Sequence, residues 1–334
     1  MVTTRPLTLR SYTSSAMENV FWQAVHVMGN GIRTSGYTDR PAAPQIWAFR
    51  VRERARARQA SASGGTNFQG LRFRPACTGP VSATVRAVMN GFEQGRVAAR
   101  RDWAPGLITL TVDAAIEPFN PGQFVNLGLE IGGQLVRRSY SIASAPGAPL
   151  EFYLKEVPAG ALTPQLTRLE PGASVWVERK PQGFFTLAYV PPCRDLWLVA
   201  TGTGLGPFLA MLRSAEIWQR FERVSVVHGA RSAAHLSYAE ELAALGAKHA
   251  GRLAYTQLVS AGSPGSALPG RVTTALADGS LEARAGLSLD PERSHLLLCG
   301  NPDMILEVTA LLALRGLRKH RVRTPGHITS EKYW

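Results

Sequence analysis

Residues 198–212 read LVATGTGLGPFLAML, which predicts a buried strand, a glycine-rich turn and a helix in direct succession. Glycines in such a turn let the backbone approach a phosphate, and the start of a helix favours negative charge. The spacing is not the dinucleotide fingerprint, because Gly202 and Gly204 are followed by Gly206, one residue too early. No Gly-Lys-Ser/Thr follows, so it is not a Walker loop either. The stretch therefore predicts either a nucleotide-binding turn or only a tight strand-to-helix turn.

From about residue 194 to the C-terminus, apolar runs of strand length alternate with helical segments. The predicted strands are DLWLVA (195–200), RVSVVHGA (223–230), RLAYTQLVS (252–260) and SHLLLCG (294–300). The predicted helices are GPFLAMLRSAEIW (206–218), YAEELAALGAKH (238–249), RVTTALADGSL (271–281) and MILEVTALLALRG (304–316). This alternation predicts a mostly parallel sheet covered by helices, with ligands beyond the carboxyl ends of the strands.

A second turn, CGNPDM (299–304), also follows a predicted strand and opens a helix. Asn301 or Asp303 could cap that helix. Cys299 taken alone is typical of a buried structural cysteine. Two such turns at one edge of a sheet predict a shared ligand cleft.

The region before residue 194 has the short, closely spaced strands of an antiparallel barrel or sandwich. The predicted strands are LITLTV (107–112), QFVNLGLEI (123–131), LVRRSYSIA (135–143), LEFYLKEV (150–157), SVWVER (174–179) and GFFTL (183–187). One helix interrupts them, LTPQLTRL (162–169), which Thr163 can cap and in which Pro164 fits the first turn.

The third of these strands carries unusual polar chemistry, RRSYS at 137–141. On a strand, Arg138 and Tyr140 face one way while Ser139 and Ser141 face the other. A guanidinium pairs with phosphate oxygens in a fork, and a phenol ring offers a stacking face. The pattern suits a flat ring that carries phosphates, and the alternative is the ordinary polarity of an exposed edge strand.

The distribution of charge separates the first quarter of the chain from the rest. The chain has 334 residues and a formal charge of +13, and residues 1–90 hold twelve arginines, no lysine and three acids. We expect 1–88 to be a poorly ordered basic extension: a transit-type segment, a basic arm for an acidic partner or nucleic acid, or sequence upstream of a start at Met89. Three scattered cysteines make a disulfide framework or an iron–sulfur module unlikely, which favours the reducing cytoplasm.

The order and spacing of several motifs resemble the bacterial, FAD-binding ferredoxin–NADP⁺ reductases over about 95–334. These motifs are RRSYS, FYLKEV, GALTPQL, TGTGLGP, CGNPDM and the terminal aromatic Trp334. The resemblance implies an antiparallel six-stranded β-barrel that binds FAD (89–192), followed by an α/β parallel-sheet domain that binds NADP(H) (193–334).

For FAD, the resemblance assigns the pyrophosphate to Arg138, the isoalloxazine face to Tyr140 and the neighbourhood of flavin N5 to Ser141. It further implies contacts from Ser139, from the strand Phe152, Tyr153, Leu154, Lys155 and Glu156, from the helix start Ala161, Leu162 and Thr163, from Thr203, and from Tyr333 and Trp334. Ser141 and Cys299 would line the path of the hydride.

For NADP(H), the resemblance assigns the adenosine 2′-phosphate to Arg231 and Arg271. Other contacts are implied for Ala230, Ser260, Asn301 and Asp303. The family branch often has a third arginine where this chain has Ala261, so we expect a smaller preference for NADPH over NADH.

The implied function is electron exchange between NADP(H) and an acidic ferredoxin or flavodoxin, by hydride transfer at flavin N5 followed by one-electron steps. The basic stretch LRKHRVR (317–323) could steer such a carrier or could be an ordinary solvated face. We expect a monomer that binds neither membrane nor nucleic acid. The reductase part of an oxygenase system, a free flavin reductase and, from another class, a basic nucleic-acid-binding protein remain alternatives.

Overall fold

The computed structural model describes residues 90–333, which contain two six-stranded sheets. The predictions for 1–88, for a start at Met89 and for Trp334 lie outside the described residues. No helix within the described range is long and apolar enough to cross a membrane.

The first sheet is antiparallel throughout, as the sequence predicts. Its strands are β1 (Phe92–Ala104), β2 (Leu107–Asp113), β3 (Phe124–Ile131), β4 (Gln134–Ser141), β5 (Leu150–Lys155) and β6 (Ser174–Glu178), in the order β4-β3-β6-β1-β2-β5. Just beyond β4, the Ala143 amide donates to the Glu151 carbonyl at 2.8 Å, so the two edges of the sheet meet there. Alternate side chains such as Leu110, Val125 and Phe152 fill its core.

The prediction of a strand at GFFTL (183–187) is wrong, and β1 supplies the sixth strand instead. Gly183 has φ +104°, which breaks the extended backbone. Phe185 then packs against Phe208 of the following domain, with ring centroids 5.8 Å apart. The stretch is a connection between the two domains in which Phe185 and Leu187 are buried and Phe184 is exposed, and it is not part of the barrel.

The helix predicted at 162–169 is a single turn, α1 (Thr163–Leu166). Thr163 is not its N-cap, since Leu162 holds that position without a side-chain cap. The Thr163 hydroxyl instead accepts from the Val157 amide at 2.9 Å and donates to the Val157 carbonyl at 3.2 Å. The cap prediction fails because the preceding loop uses this hydroxyl.

The second sheet is parallel in every pairing, as predicted. Its strands are β7 (Asp195–Thr201), β8 (Arg223–Ala230), β9 (Leu253–Val259), β10 (Leu268–Pro269), β11 (Ser294–Gly300) and β12 (Ile328–Lys332), in the order β10-β9-β8-β7-β11-β12. The four predicted strands are confirmed to within one residue at each end. The short β10 and the C-terminal β12 were not predicted.

Helices α2 (Gly206–Leu212), α3 (Ala215–Arg220), α4 (Ala239–Lys248), α5 (Val272–Ala277), α6 (Ser280–Ala285) and α7 (Pro302–Ala313) accompany this sheet. Two predicted helices are each split in two: 206–218 breaks after Leu212, and 271–281 breaks at Gly279, which has φ +78°. Asn301 and Asp303 were the two candidate caps of α7, and Asn301 is the cap, because its side chain accepts from the Asp303 amide at 2.7 Å.

Arg213 joins the two domains. It donates to the Ala143 carbonyl at 2.9 Å and to Glu151 at 2.7 Å on the barrel side, and to Glu241 of α4 at 2.7 and 2.9 Å. Burial alone would lower the pKa of Arg213, but hydrogen bonds and charge from Glu241 and then Glu151 raise it. The guanidinium therefore stays charged and holds two carboxylates that belong to different domains.

Replacing Arg213 by Met should lower the free energy of unfolding by about 2–3 kcal/mol, because two partly buried carboxylates lose their cation. Urea denaturation measures this change. As a control, Arg194→Met removes an arginine from an exposed pair with Glu222 and should change stability little. A midpoint for Arg213→Met equal to that of the wild type would contradict the role of Arg213.

Candidate functional site

A cavity of about 900 Å³ lies beside the barrel and is reached by residues of both domains. Ten of the residues predicted to bind FAD line it: Arg138, Ser139, Tyr140, Ser141, Tyr153, Lys155, Glu156, Thr163, Thr203 and Tyr333. The structure therefore brings together residues that are separated by almost 200 positions in the sequence.

Four consecutive residues of β4, 138–141, line this cavity, although the strand pattern predicts that they alternate between two faces. Strand β4 is an edge strand that pairs only with β3, so its other edge is open. The cavity can therefore contact residues from both faces of β4. The Ser139 hydroxyl donates to Asn126 at 2.9 Å, and the exposed Arg138 guanidinium donates to the Arg137 carbonyl at 2.8 Å.

The Tyr140 hydroxyl is buried without a hydrogen-bond partner in the part of the chain that the structure describes. Burial raises the pKa of Tyr140 to about 12, while the nearby Arg138 acts in the opposite direction. Its ring packs against the barrel core. Buried hydroxyls in native proteins almost always have a partner, so this one fits a site that a bound polar group completes.

Four residues predicted to contact FAD do not line the cavity. Phe152, Leu154 and Leu162 are buried in the barrel core, and Ala161 is exposed. Alternation along β5 explains the first two, because Tyr153 and Lys155 take the opposite face. Any contact of Phe152 or Leu154 with a ligand would have to come from the backbone.

Ser141 and Cys299 meet through Tyr333. The Tyr333 side chain forms hydrogen bonds with both residues, one on the barrel and one at the end of β11. Cys299 is fully buried and lines neither cavity, and its burial, followed by the charge of Glu331, raises the pKa of the thiol well above its usual value. Cys299 is thus a neutral thiol, and its place on a hydride path remains a prediction.

Glu331 is a site residue that the sequence analysis missed. It lines the same cavity, and one of its carboxylate oxygens is buried with no partner among the described residues. Burial raises its pKa to about 7. Glu331 lies opposite Cys299 in the β11–β12 ladder. Placing Glu331 at this site from the sequence would have required a prediction of strand β12.

A second cavity of about 600 Å³ lies at the carboxyl edge of the parallel sheet. All six residues predicted to bind NADP(H) line it: Ala230, Arg231, Ser260, Arg271, Asn301 and Asp303. The two turns that were expected to share a cleft pack directly together. The Asn301 amide donates to the Thr201 hydroxyl at 2.8 Å, and a Cβ on Gly204 would lie 2.4 Å from the Cys299 carbonyl oxygen. Only glycine fits at position 204.

The two cavities adjoin. Thr203 and Lys155 line both of them, one from the parallel-sheet domain and the other from the barrel. Ala261 also lines the second cavity, and its amide donates to the Arg231 carbonyl at 2.8 Å. The position without a third arginine is therefore directly beside Arg231.

The basic stretch 317–323 lies elsewhere. It precedes β12, whose first residue, Ile328, pairs with Leu296 near the start of β11. The stretch is thus at the amino edge of the sheet, and the cavities are at the carboxyl edge. Five strand residues separate these edges by roughly 15 Å.

Comparison with known proteins agrees with this architecture. Residues 107–186 match the family model "Oxidoreductase FAD-binding domain", and residues 198–309 match "Oxidoreductase NAD-binding domain". The flavodoxin/ferredoxin–NADP reductases of Shigella flexneri and Escherichia coli (strain K12) are each 43% identical over 248 residues, which is 74% of this chain and 100% of either relative. The crystal structure of a ferredoxin NADP⁺ reductase from Neisseria gonorrhoeae with bound FAD and NADP has a TM-score of 0.67 and 30% identity. That match covers 72% of this chain and 98% of the other.

Glu331→Gln should change how stability depends on pH. The folded carboxyl has a pKa of about 7 against an ordinary 4.5, so the unfolded chain loses its proton first and wild-type stability falls as pH rises through that window. Glu331→Gln lacks this fall. Above about pH 7, its free energy of unfolding should therefore exceed that of the wild type by at most about 3 kcal/mol. Urea titrations of FAD-free protein across the window measure the gain.

The control for this experiment is Glu130→Gln, which changes an exposed carboxylate on β3 and should leave the pH profile unaltered. Parallel profiles for the wild type and Glu331→Gln would show that Glu331 is not a buried acid.

Proposed function

The chain belongs to the family of flavodoxin/ferredoxin–NADP reductases, and from that premise we propose that it exchanges electrons between NADP(H) and a flavodoxin or a ferredoxin through FAD. The observation that carries this proposal is the meeting of the two cavities at Thr203 and Lys155. A dinucleotide in one cavity and a flavin in the other would approach each other there.

FAD fits the larger cavity by the chemistry of its lining. Arg138 lines the cavity with a guanidinium that could pair with a pyrophosphate, and the ring of Tyr140 offers an apolar face. The Tyr140 hydroxyl has no partner among residues 90–333. When bound, FAD supplies the exchange between two-electron and one-electron chemistry. The chain's own contribution is to hold Ser141, Tyr333 and Cys299 in one hydrogen-bonded group beside the larger cavity.

Arg231 and Arg271 are proposed to hold the adenosine 2′-phosphate at the far side of the smaller cavity. A guanidinium pairs with phosphate in a fixed fork, so two of them give a preference for NADPH over NADH. Ala261 beside Arg231 reduces that preference without removing it.

A monomer in a reducing compartment, the cytoplasm, is part of the same proposal. Two of the three cysteines, Cys193 and Cys299, are free thiols. This agrees with a compartment in which disulfides are rare.

The experiment that tests the function is NADPH-dependent reduction of a flavodoxin by the FAD-loaded protein. Arg271→Gln should lower kcat/KM for NADPH by about 10- to 100-fold and leave NADH within about twofold, since one charge-assisted contact is lost. Ala261→Arg should increase the ratio of NADPH to NADH rates.

Arg223→Gln, at the other end of the strand that leads to Arg231, serves as the control and should leave both rates unchanged. Equal wild-type rates with the two coenzymes would contradict the 2′-phosphate assignment.

The acidic carrier is expected to associate at the rim of the larger cavity rather than at 317–323. Arg137→Gln/Lys332→Gln should lower the association rate with flavodoxin by about 3- to 10-fold at low salt, because Lys332 is an exposed cation of the cavity lining and Arg137 is an exposed cation next to the lining residue Arg138. Arg321→Gln/Arg323→Gln removes the same charge at the amino edge and should change the rate less than about twofold. The reverse order would place the docking surface at 317–323.

A further inference from the structure

Three histidines lie together at the amino edge of the parallel sheet, and we refer to them as the histidine cluster. His295 is near the start of β11, and His320 and His327 belong to the segment that leads into β12. The His295 and His320 rings are arranged edge to face, with centroids 5.7 Å apart. No group of three ligand side chains within residues 90–333 is placed to hold a metal ion. The cluster therefore acts through its hydrogen bonds.

Two rings of the cluster accept hydrogen bonds from the backbone of the segment 318–327. His320 Nδ1 accepts from the Gly326 amide at 3.2 Å, and His327 Nδ1 accepts from the Arg318 amide at 3.0 Å. An imidazolium carries a proton on both nitrogens and cannot accept a hydrogen bond. Both bonds therefore require neutral rings.

His295 connects the cluster to β12. The residue is buried, and its Nε2 lies 3.0 Å from the Thr329 hydroxyl. Thr329, Glu331 and Tyr333 are alternate residues along the chain end, so their side chains face the same way. Glu331 and Tyr333 line the larger cavity. One face of the chain end thus carries the contact with His295 at its start and two cavity residues further along.

Strand β12 has few other attachments that could replace this contact. It is an edge strand of five residues and pairs only with β11. A short strand with one neighbour is an element that opens locally at low cost in free energy. A side-chain contact at its start is therefore expected to affect the whole strand.

The surroundings of His295 disfavour a positive charge on its ring. Burial, and then the nearby His320, lower the pKa of His295 to about 3. His327 acts in the same direction, whereas the backbone of Gly326 acts in the opposite one.

The segment that precedes β7 does not supply a free carboxylate to His295. The Cys193 thiol forms a hydrogen bond with the His295 backbone, and Arg220 is a cation beside that thiol. Asp195, the first residue of β7, is already ion-paired with Arg293 at 3.3 Å. His295 is therefore neutral in the folded protein.

Resting on the proposed function, we propose that His295 is a positioning residue of the flavin site, because its neutral ring holds the start of β12 through Thr329 and thereby keeps Glu331 and Tyr333 at the larger cavity. When β12 is released, His295 becomes exposed and takes up a proton from solvent. The folded pKa of about 3 lies below the ordinary 6.5, so the contact has its full effect above about pH 6.5 and weakens as the pH falls toward 3.

Amide hydrogen exchange of the FAD-loaded protein tests this role. The reference protein is Glu331→Gln, because the Glu331 carboxyl titrates in the same pH range with the opposite effect on β12. From about pH 8 to about pH 5, the protection of the β12 amides, corrected for intrinsic exchange rates, should fall by about 30-fold, since released His295 regains its ordinary pKa. The amides of β8, inside the sheet, should keep their protection.

Addition of His295→Gln to the reference should reduce this fall to less than about threefold. The matched control is His249→Gln in the same reference, which changes a histidine stacked on Trp218 and should retain the full fall. A fall that persists without His295 would overturn the proposal. An equal fall at β8 would also overturn it, because acid would then be unfolding the whole domain.

The rate of FAD release tests the connection between β12 and the flavin site. Thr329→Val removes the hydroxyl that contacts His295 and should speed FAD release by about 3- to 10-fold at about pH 8. The return of flavin fluorescence after dilution measures this rate. Ser330→Ala changes the exposed neighbour on the other face and should leave the rate unchanged.

Unchanged FAD release from Thr329→Val would overturn the proposal, since His295 would then hold β12 without any effect on the flavin site. Failure of the proposed function gives a different result. The wild-type protein would then hold no FAD, whereas the exchange of the β12 amides could still be measured.

Discussion

The ion pairs of Arg213 with Glu151 and Glu241 set the position of the barrel on the parallel sheet, and the site depends on that position. Two further hydrogen bonds cross the same boundary: Tyr153 donates to Ser237 at 2.8 Å, and the Thr109 and Tyr238 hydroxyls lie 2.5 Å apart. Tyr238 has φ +61°, which a bulky residue adopts only where the surroundings hold it there. The domains are therefore joined by directed polar contacts, so small shifts of one against the other are opposed.

The contact between the two domains therefore brings together residues that lie far apart in the sequence. Ser141 comes from the barrel, Thr203 and Cys299 from two turns of the parallel sheet, and Tyr333 from the chain end. The buried polar atoms at the junction divide into two kinds. Those of Ser141 and Cys299 are hydrogen-bonded within the protein, whereas the Tyr140 hydroxyl and one oxygen of Glu331 have no partner in the described chain. Tyr140 and Glu331 both line the larger cavity, where a bound polar group could complete these two atoms.

The sequence predicted most of what depends on apolar periodicity. Three of the four central strands of the parallel sheet, β7, β8 and β11, are buried along almost their whole length and read as mainly apolar runs. Strand β1 was not among the predicted strands because its buried positions are few, and GFFTL was misread because a partly buried connection can be as apolar as a strand. Cavity residues carried by motifs, such as Arg138 and Asn301, were named in advance. Glu331 was not, since its importance arises from burial that only the tertiary structure creates.

The central claim is that one FAD binds between the barrel and the chain end and is held by the residues of β4. The most direct measurement is the visible absorption spectrum of the purified protein before and after addition of FAD, compared between the wild type and Arg138→Ala. The account predicts a yellow wild-type protein with one FAD per chain, and a variant that remains folded by circular dichroism but loses the flavin. A colourless wild-type protein that takes up no added FAD, or a variant that retains it with unchanged affinity, would contradict the account.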